Sequence, residues 1–150
     1  MKGLYGMKFN IKLPLEVKSI LYQINEHGHE AYVVGGCVRD GILGRNCDDI
    51  DIATSATPEE IISLFPHTVP TGIKHGTITV IIDKKPIEVT TYRTEGSYTD
   101  SRHPDNVTFV SDLSQDLSRR DFTINALAYN QINGLVDYHG GIEDLNNKII

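Results

Sequence analysis

The chain has 150 residues, 39% apolar side chains and a formal net charge of −6, which is typical of a single ordered domain. No apolar run approaches the roughly 18–20 residues of a membrane span, and the N-terminus lacks a signal-peptide core, so we expect a cytoplasmic protein. Nucleic-acid binders usually carry a basic surface. The acidic charge of −6 therefore argues against this domain holding a polynucleotide by itself.

The first half of the chain alternates helical and extended patterns. In chain order these predict an amphipathic helix, a buried strand, a short helix and a half-buried strand, at Val17–Ile24, Ala31–Gly36, Cys37–Leu43 and Asp49–Ala53. Gly28 and Gly44 follow the two helices as stop signals. A third helix should begin after Thr57, because an N-cap threonine, Pro58 and Glu60 occupy the positions that favour a helix start.

The second half predicts more strands than helices. Strands are expected at Thr77–Ile82, Ile87–Arg93 and Val107–Val110, and helices at Leu113–Leu117 and Phe122–Tyr129. The polar turn Asp83–Pro86 and the pair Asn133-Gly134 indicate hairpins. Glu95–Asn106 has few apolar anchors, which predicts a flexible flap. The whole pattern favours an α+β domain with a mixed sheet flanked by helices.

Two glycines lie at the junction between the predicted strand Ala31–Gly36 and the predicted helix Cys37–Leu43. At such a strand-to-helix junction, Gly35 and Gly36 would let backbone amides approach a ligand, and the helix N-terminus favours anions. Arg39, in the first turn, could fork onto phosphate oxygens. Taken alone, a Gly-Gly pair more often marks an ordinary tight turn.

A pair of aspartates follows. On a strand, Asp49 and Asp51 point to the same face while Ile50 and Ile52 enter the core, and Asp48 falls on the opposite parity. Adjacent carboxylates are costly without a cation, and hard oxygen ligands suit Mg²⁺. The alternative is a solvated strand edge with two scattered acids.

Glu88 lies in the predicted strand Ile87–Arg93, which could lie beside the strand of the aspartates. If the two strands pair, Glu88 becomes a third acid facing the metal site. It is otherwise a surface glutamate, and the sequence leaves both interpretations open.

The segment from Arg119 to Ala126 forms a second polar cluster. Arg120, Asp121 and Asn125 could meet a triphosphate and a ribose, with the guanidinium on phosphate and the carboxylate or amide on hydroxyl groups. Asp121 and Asn125 share one helix face at i and i+4. Asp121 could also serve simply as an N-cap.

The two cysteines, Cys37 and Cys47, lack CxxC spacing and a histidine cluster. We expect neither a zinc site nor a disulfide framework, only two small packed side chains.

Together, the stretches GGCVRDGILG, DDIDIAT, EVTTYRTEG and RRDFTINALAY resemble the class II tRNA nucleotidyltransferase and bacterial poly(A) polymerase family. The order of the four motifs also matches, and the tail from Val136 to Gly141, with Asp144 and Leu145, resembles the end of that family's head domain. Asp48 and Cys37 depart from residues that are common in the family.

The resemblance implies a DNA polymerase β-type nucleotidyltransferase fold. It implies metal binding at Asp49 and Asp51, with Glu88 as a further acid. It also implies nucleotide contacts from the Gly35-Gly36 turn and Arg39, and from the three residues of the second cluster, Arg120, Asp121 and Asn125. Two Mg²⁺ ions would activate an RNA 3′-hydroxyl and stabilise the departing pyrophosphate.

Family members continue into a helical neck, body and tail, which select the base and hold tRNA and are not present in residues 1–150. The resemblance therefore implies one head domain that takes CTP and ATP, and a tRNA 3′ end in the full-length context. It does not separate CCA addition from poly(A) addition. A nucleotide-binding module with little activity of its own is the alternative, whereas a calcium-binding domain lacks the necessary ligand-dense loop.

Overall fold

A computed structural model describes residues 11–45, 49–95, 107–120 and 126–147. The strands in these ranges are β1 (Ala31–Val34), β2 (Asp51–Thr54), β3 (Thr68–Gly72), β4 (Thr77–Ile82), β5 (Lys85–Thr91), β6 (Arg93–Glu95), β7 (Val107–Phe109), β8 (Leu127–Asn130) and β9 (Gly134–Asp137). The helices are α1 (Leu15–Glu26), α2 (Gly36–Ile42), α3 (Pro58–Leu64), α4 (Leu113–Ser118) and α5 (Gly141–Asn146), with a 3₁₀ turn at Ile73–His75.

Seven strands form one sheet in the order β3-β4-β5-β2-β1-β8-β9, and β6 pairs separately with β7. Among the described strands, β2 and β5 are parallel and every other pair is antiparallel. This architecture confirms the predicted α+β fold with a mixed sheet flanked by helices.

The two faces of the sheet carry separate hydrophobic clusters. On one face, Val33 and Ile52 pack with the apolar sides of α1 and α3. The next residues along the strands point the other way, and Tyr32, Val34 and Ala53 pack with the apolar residues of α4. Since α4 covers only part of this second face, the strand residues beyond it are left for a polar site.

Most of the predicted helices and their boundaries are confirmed. Helix α3 starts with a complete capping box: the Thr57 side chain accepts from the Glu60 N–H at 3.2 Å, and the Glu60 carboxylate accepts from the Thr57 N–H at 2.8 Å. Gly28 and Gly44 both adopt positive φ after the helices that they terminate.

Both predicted hairpins are present, and the first has a shorter turn than expected. Asp83 and Lys84, at φ of 51° and 66°, form a two-residue turn between β4 and β5, which is shorter than the four residues expected. Pro86 lies within β5 but before the stretch that pairs with β2, so its missing N–H leaves no gap in that ladder. In the β8–β9 hairpin, Gly134 adopts a φ of 72°.

One predicted helix is wrong over its described part. Leu127–Tyr129 lies in strand β8, which is buried along its whole length between β1 and β9. Leucine and alanine favour helix locally, but a short buried apolar run suits either structure and tertiary pairing decides. Strand β3 was not expected either, because its sequence Thr68–Gly72 contains a proline and a glycine. In the structure this strand is largely exposed.

The expectation that the cysteines form no disulfide is wrong, whereas the expected burial of Cys37 is confirmed. Cys37 is disulfide-bonded, and the only other cysteine in the sequence, Cys47, lies outside the described residues. The absence of CxxC spacing does not exclude a bond that the fold closes over a longer stretch. Residues 96–106 of the predicted flap also lie outside the described residues. No helix in the described part of the chain is long and apolar enough to span a membrane.

The capping box gives a test of the local structure. We expect Thr57→Ala to lower the free energy of unfolding by about 1 kcal/mol, because the Glu60 N–H loses its acceptor. Thr57→Ser keeps the hydroxyl and should be nearly neutral. Urea denaturation of the three proteins checks this, and equal midpoints for the alanine and serine variants would contradict it.

Candidate functional site

The parallel pairing of β2 with β5 brings two acids together. Asp51 is the register partner of Glu88, and directly paired residues project from the same face of a sheet. On the other side of β2, Asp51 pairs with Val34, the last residue of β1. The sequence left open whether the strand of Glu88 pairs with the strand of the aspartates. The structure shows this pairing, so Glu88 lies beside Asp51.

Asp51 and Glu88 line a cleft of about 270 Å³ that is also lined by three arginines, Arg93, Arg119 and Arg120. The cleft floor includes Thr77 and Thr90, whose hydroxyl oxygens lie 2.9 Å apart. Its polar lining combines acids that can bind a cation with cations that can bind phosphate.

The charge of Asp51 is disfavoured in the folded protein. Partial loss of hydration in the cleft raises the pKa of its carboxyl above the ordinary value, although the residue keeps an exposed surface, and the neighbouring charge of Glu88 raises it further. Arg120 opposes this shift, while Asp49 adds to it from just before β2. A positive ion between these carboxylates would reduce the repulsion between them.

The arginines come from the end of α4 and the start of β6. Arg120 Nη2 lies 3.4 Å from Asp116 Oδ1, and Arg119 Nε lies 3.7 Å from Asp116 Oδ2. Arg93 donates from Nη1 to the carbonyl oxygen of His75 at 2.5 Å. Burial lowers the pKa of Arg120, and the charge of Arg119 lowers it further. An anion bound in the cleft would therefore relieve a repulsion between cations.

The glycine turn lies next to this cleft. Gly35 has a φ of +77°, a conformation that side chains rarely adopt, and a Cβ on it would lie 3.7 Å from Arg120 Nη1. Gly36 starts α2 and sits beside the side chain of Arg39, whose Nε lies 3.1 Å from Asp40 Oδ1. Gly35 is thus in reach of the cleft, whereas Gly36 and Arg39 form a neighbouring group.

The expected residues do not all converge on one cavity. Gly36, Arg39 and Asp49 are described residues but are not in the cleft lining. Asp49 is exposed and precedes β2 rather than belonging to it. In the part of the chain that the structure describes, no group of three or more His, Cys, Asp or Glu side chains is arranged to hold a metal ion. Asp121 and Asn125 lie outside the described residues.

Sequence reasoning missed three residues of the site. Arg93 and Arg119 stand within the quoted motifs, so their chemistry was visible, but only the fold places them in the cleft. No sequence pattern marked Asp116 as a site residue, since an acidic residue inside a short polar helix usually faces solvent. Here it is fully buried beneath the arginines.

Known proteins with a similar sequence and fold share one activity in their names. Residues 31–150 match the Poly A polymerase head domain family. A CCA-adding enzyme of Staphylococcus aureus (strain MRSA252) is 56% identical over 135 residues, which are 90% of this chain and 34% of that protein.

Solved structures agree with this result. The Bacillus stearothermophilus CCA-adding enzyme in complex with CTP superposes with a TM-score of 0.78 at 46% identity, over 88% of this chain and 31% of that one. The Thermotoga maritima CCA-adding enzyme complexed with tRNA has a TM-score of 0.68 at 29% identity, over 91% of this chain and 32% of that one. The chain thus spans about a third of the length of the relatives it matches.

The raised pKa of Asp51 predicts that its charge costs stability. Without divalent ions, Asp51→Asn should raise the free energy of unfolding at neutral pH by up to about 1 kcal/mol, the size of a solvent-screened charge interaction. The gain should vanish at a pH well below the ordinary pKa of aspartate, where the folded and unfolded states are both protonated, and grow as the pH rises through the folded-state value.

Urea denaturation across this pH range measures the effect. The exposed Glu143 provides the control, because Glu143→Gln removes one surface charge away from the cleft and should change stability by less than about 0.5 kcal/mol. A loss of stability in Asp51→Asn at neutral pH would contradict the assigned electrostatics.

Proposed function

Because the chain belongs to the Poly A polymerase head domain family, we propose that it is the catalytic head of a template-independent RNA nucleotidyltransferase. The reaction would transfer a nucleotide from CTP or ATP to the 3′-hydroxyl of a tRNA. The observation that carries this proposal is the cleft in which Asp51 and Glu88, held in register, face Arg119 and Arg120. The names of the similar proteins, which are CCA-adding enzymes, support the same activity.

We assign the acidic side of the cleft to a divalent cation, with Mg²⁺ as the candidate. Asp51 and Glu88 supply hard oxygen donors from neighbouring strands, and Asp49 is close enough to affect the charge of Asp51. Desolvation raises the pKa of Asp51, and the charges of Glu88 and Asp49 raise it further, which fits a site that a cation completes. When bound, the ion would activate the attacking hydroxyl and neutralise charge on the phosphates.

We assign the basic side of the cleft to the triphosphate. Arg119 and Arg120 are held at the end of α4 and mostly shielded from water, so their charge is weakly screened. The Gly35 turn brings backbone close to Arg120 without a Cβ in between. These groups would orient the phosphates with respect to the acids, which is where a phosphoryl-transfer site obtains much of its rate.

The roles of the other expected residues are proposals of the same kind. Gly36 and Arg39 would contact the nucleotide at the rim of the cleft, and Asp121 and Asn125 would contact its sugar. Their placement follows from the family resemblance rather than from the cleft.

The same geometry predicts which feature of the nucleotide is recognised. The charged groups of the cleft address phosphate and metal, which CTP, ATP, GTP and UTP share. We therefore expect the chain to bind Mg²⁺-nucleoside triphosphates with affinities within about tenfold of one another, and to add nucleotides to tRNA slowly or not at all, because its net charge of −6 disfavours a long polyanion.

Isothermal titration with each triphosphate, with and without Mg²⁺, measures this directly. Asp49→Ala/Asp51→Ala should weaken binding at least about tenfold, since the triphosphate would meet no metal, whereas Asp83→Ala, in the distant β4–β5 turn, should leave binding unchanged. Equal affinity with and without Mg²⁺ would contradict the proposed site. A preference of more than about tenfold for CTP over GTP would place base selection in this chain.

A further inference from the structure

Asp116 is a buried carboxylate that connects both walls of the cleft. It lies in α4 with no exposed surface. Its Oδ1 lies 3.4 Å from Arg120 Nη2, and its Oδ2 lies 3.7 Å from Arg119 Nε. The same Oδ2 accepts a hydrogen bond of 3.0 Å from the backbone N–H of Arg93. One side chain therefore contacts all three arginines of the cleft.

The third of these contacts reaches a different element. Arg93 begins β6 and is separated from β5, the strand of Glu88, by Tyr92 alone. The backbone of Tyr92 is itself fixed, because its N–H donates to the Thr54 carbonyl oxygen at the end of β2 at 2.7 Å. The hydrogen bond from Arg93 to Asp116 thus ties the end of α4 to the strands that carry the acids.

Charge balance explains why this carboxylate can be buried. An isolated buried carboxylate is strongly disfavoured, and two adjacent guanidiniums compensate for it. In return, Asp116 counters the repulsion between Arg119 and Arg120. The compensation is incomplete on the side of the arginines: Arg120 Nε is buried and has no hydrogen-bond partner among the described residues.

We propose that Asp116 is the positioning residue of the triphosphate site. It does not contact the nucleotide. It fixes the guanidiniums of Arg119 and Arg120 in the cleft that Asp51 and Glu88 also line, so that the arginines would orient the phosphates of a bound nucleotide. The inference rests on the proposed function, because it assumes that the cleft binds a triphosphate.

The test compares the affinity for a triphosphate with that for a monophosphate. Asp116→Asn keeps the size of the side chain and an oxygen that can accept from Arg93, but removes the charge that holds the guanidiniums. We expect the Kd for Mg²⁺-CTP to rise at least about tenfold and the Kd for CMP, which has fewer phosphates to place, to change less than about threefold. A residue that merely supported the fold would change both constants together.

Asp112→Ala provides a matched control on the same helix. Asp112 is exposed and caps α4 by accepting from the Ser114 N–H at 3.0 Å. Its replacement should destabilise α4, yet leave the Kd for Mg²⁺-CTP within about twofold of the unmodified value, since no arginine loses its counter-ion. The control separates a weaker helix from a misplaced guanidinium.

Asp116→Glu covers the case in which the asparagine variant does not fold. It keeps the buried charge but carries one more methylene, so the guanidiniums should be displaced. The Kd for CMP divided by the Kd for Mg²⁺-CTP should therefore fall. The inference is overturned if either folded variant binds Mg²⁺-CTP as tightly as the unmodified chain. If the unmodified chain itself does not bind Mg²⁺-CTP, the proposed function fails first.

Discussion

The in-register pairing of β2 with β5 is the constraint on which the candidate site depends. It fixes Asp51 beside Glu88 in the one parallel contact among the described strands. A shift by one residue would turn one of the acids into the core and bring an apolar residue to the cleft. The buried partners of these strands, Ile52 and Val89, resist such a shift because both pack in the large hydrophobic cluster on the other face. Apolar packing on one side of the sheet thus holds two like charges together on the other.

The basic wall of the cleft is positioned by a similar arrangement. Leu113 and Leu117 of α4 are buried in the second hydrophobic cluster, together with Val34 of β1. Asp116 lies on this same inward side of the helix, where its burial would be unfavourable if Arg119 and Arg120 did not follow directly. The leucines set the position of the helix, and the ion pairs set the orientation of the arginines at its end.

Sequence reasoning predicted those parts of the fold that local chemistry determines. The capping box at Thr57, the hairpin at Gly134 and the terminal glycines were readable because each depends on a few adjacent residues. The prediction that Glu88 and Asp51 share a face depended on the pairing of their strands, because strand pairing is not encoded in the local sequence. Leu127–Tyr129 was misread for the same reason: its neighbours in the sheet, β1 and β9, decide its conformation. Asp116 was missed because only tertiary structure distinguishes a buried acid from a solvated one.

The charge of the cleft explains why the acidic balance of the chain and an anionic ligand are compatible. Three arginines line the cleft, namely Arg93, Arg119 and Arg120, and three carboxylates lie in its lining or against these arginines, namely Asp51, Glu88 and Asp116. The formal charges of these six groups cancel. A bound divalent cation makes the same volume positive, and a triphosphate is then attracted to a surface that is otherwise acidic. The affinity for nucleotide is in this way coupled to metal binding. The surrounding negative charge favours a compact anion over a long polyanion, unless other parts of a longer protein supply a basic surface.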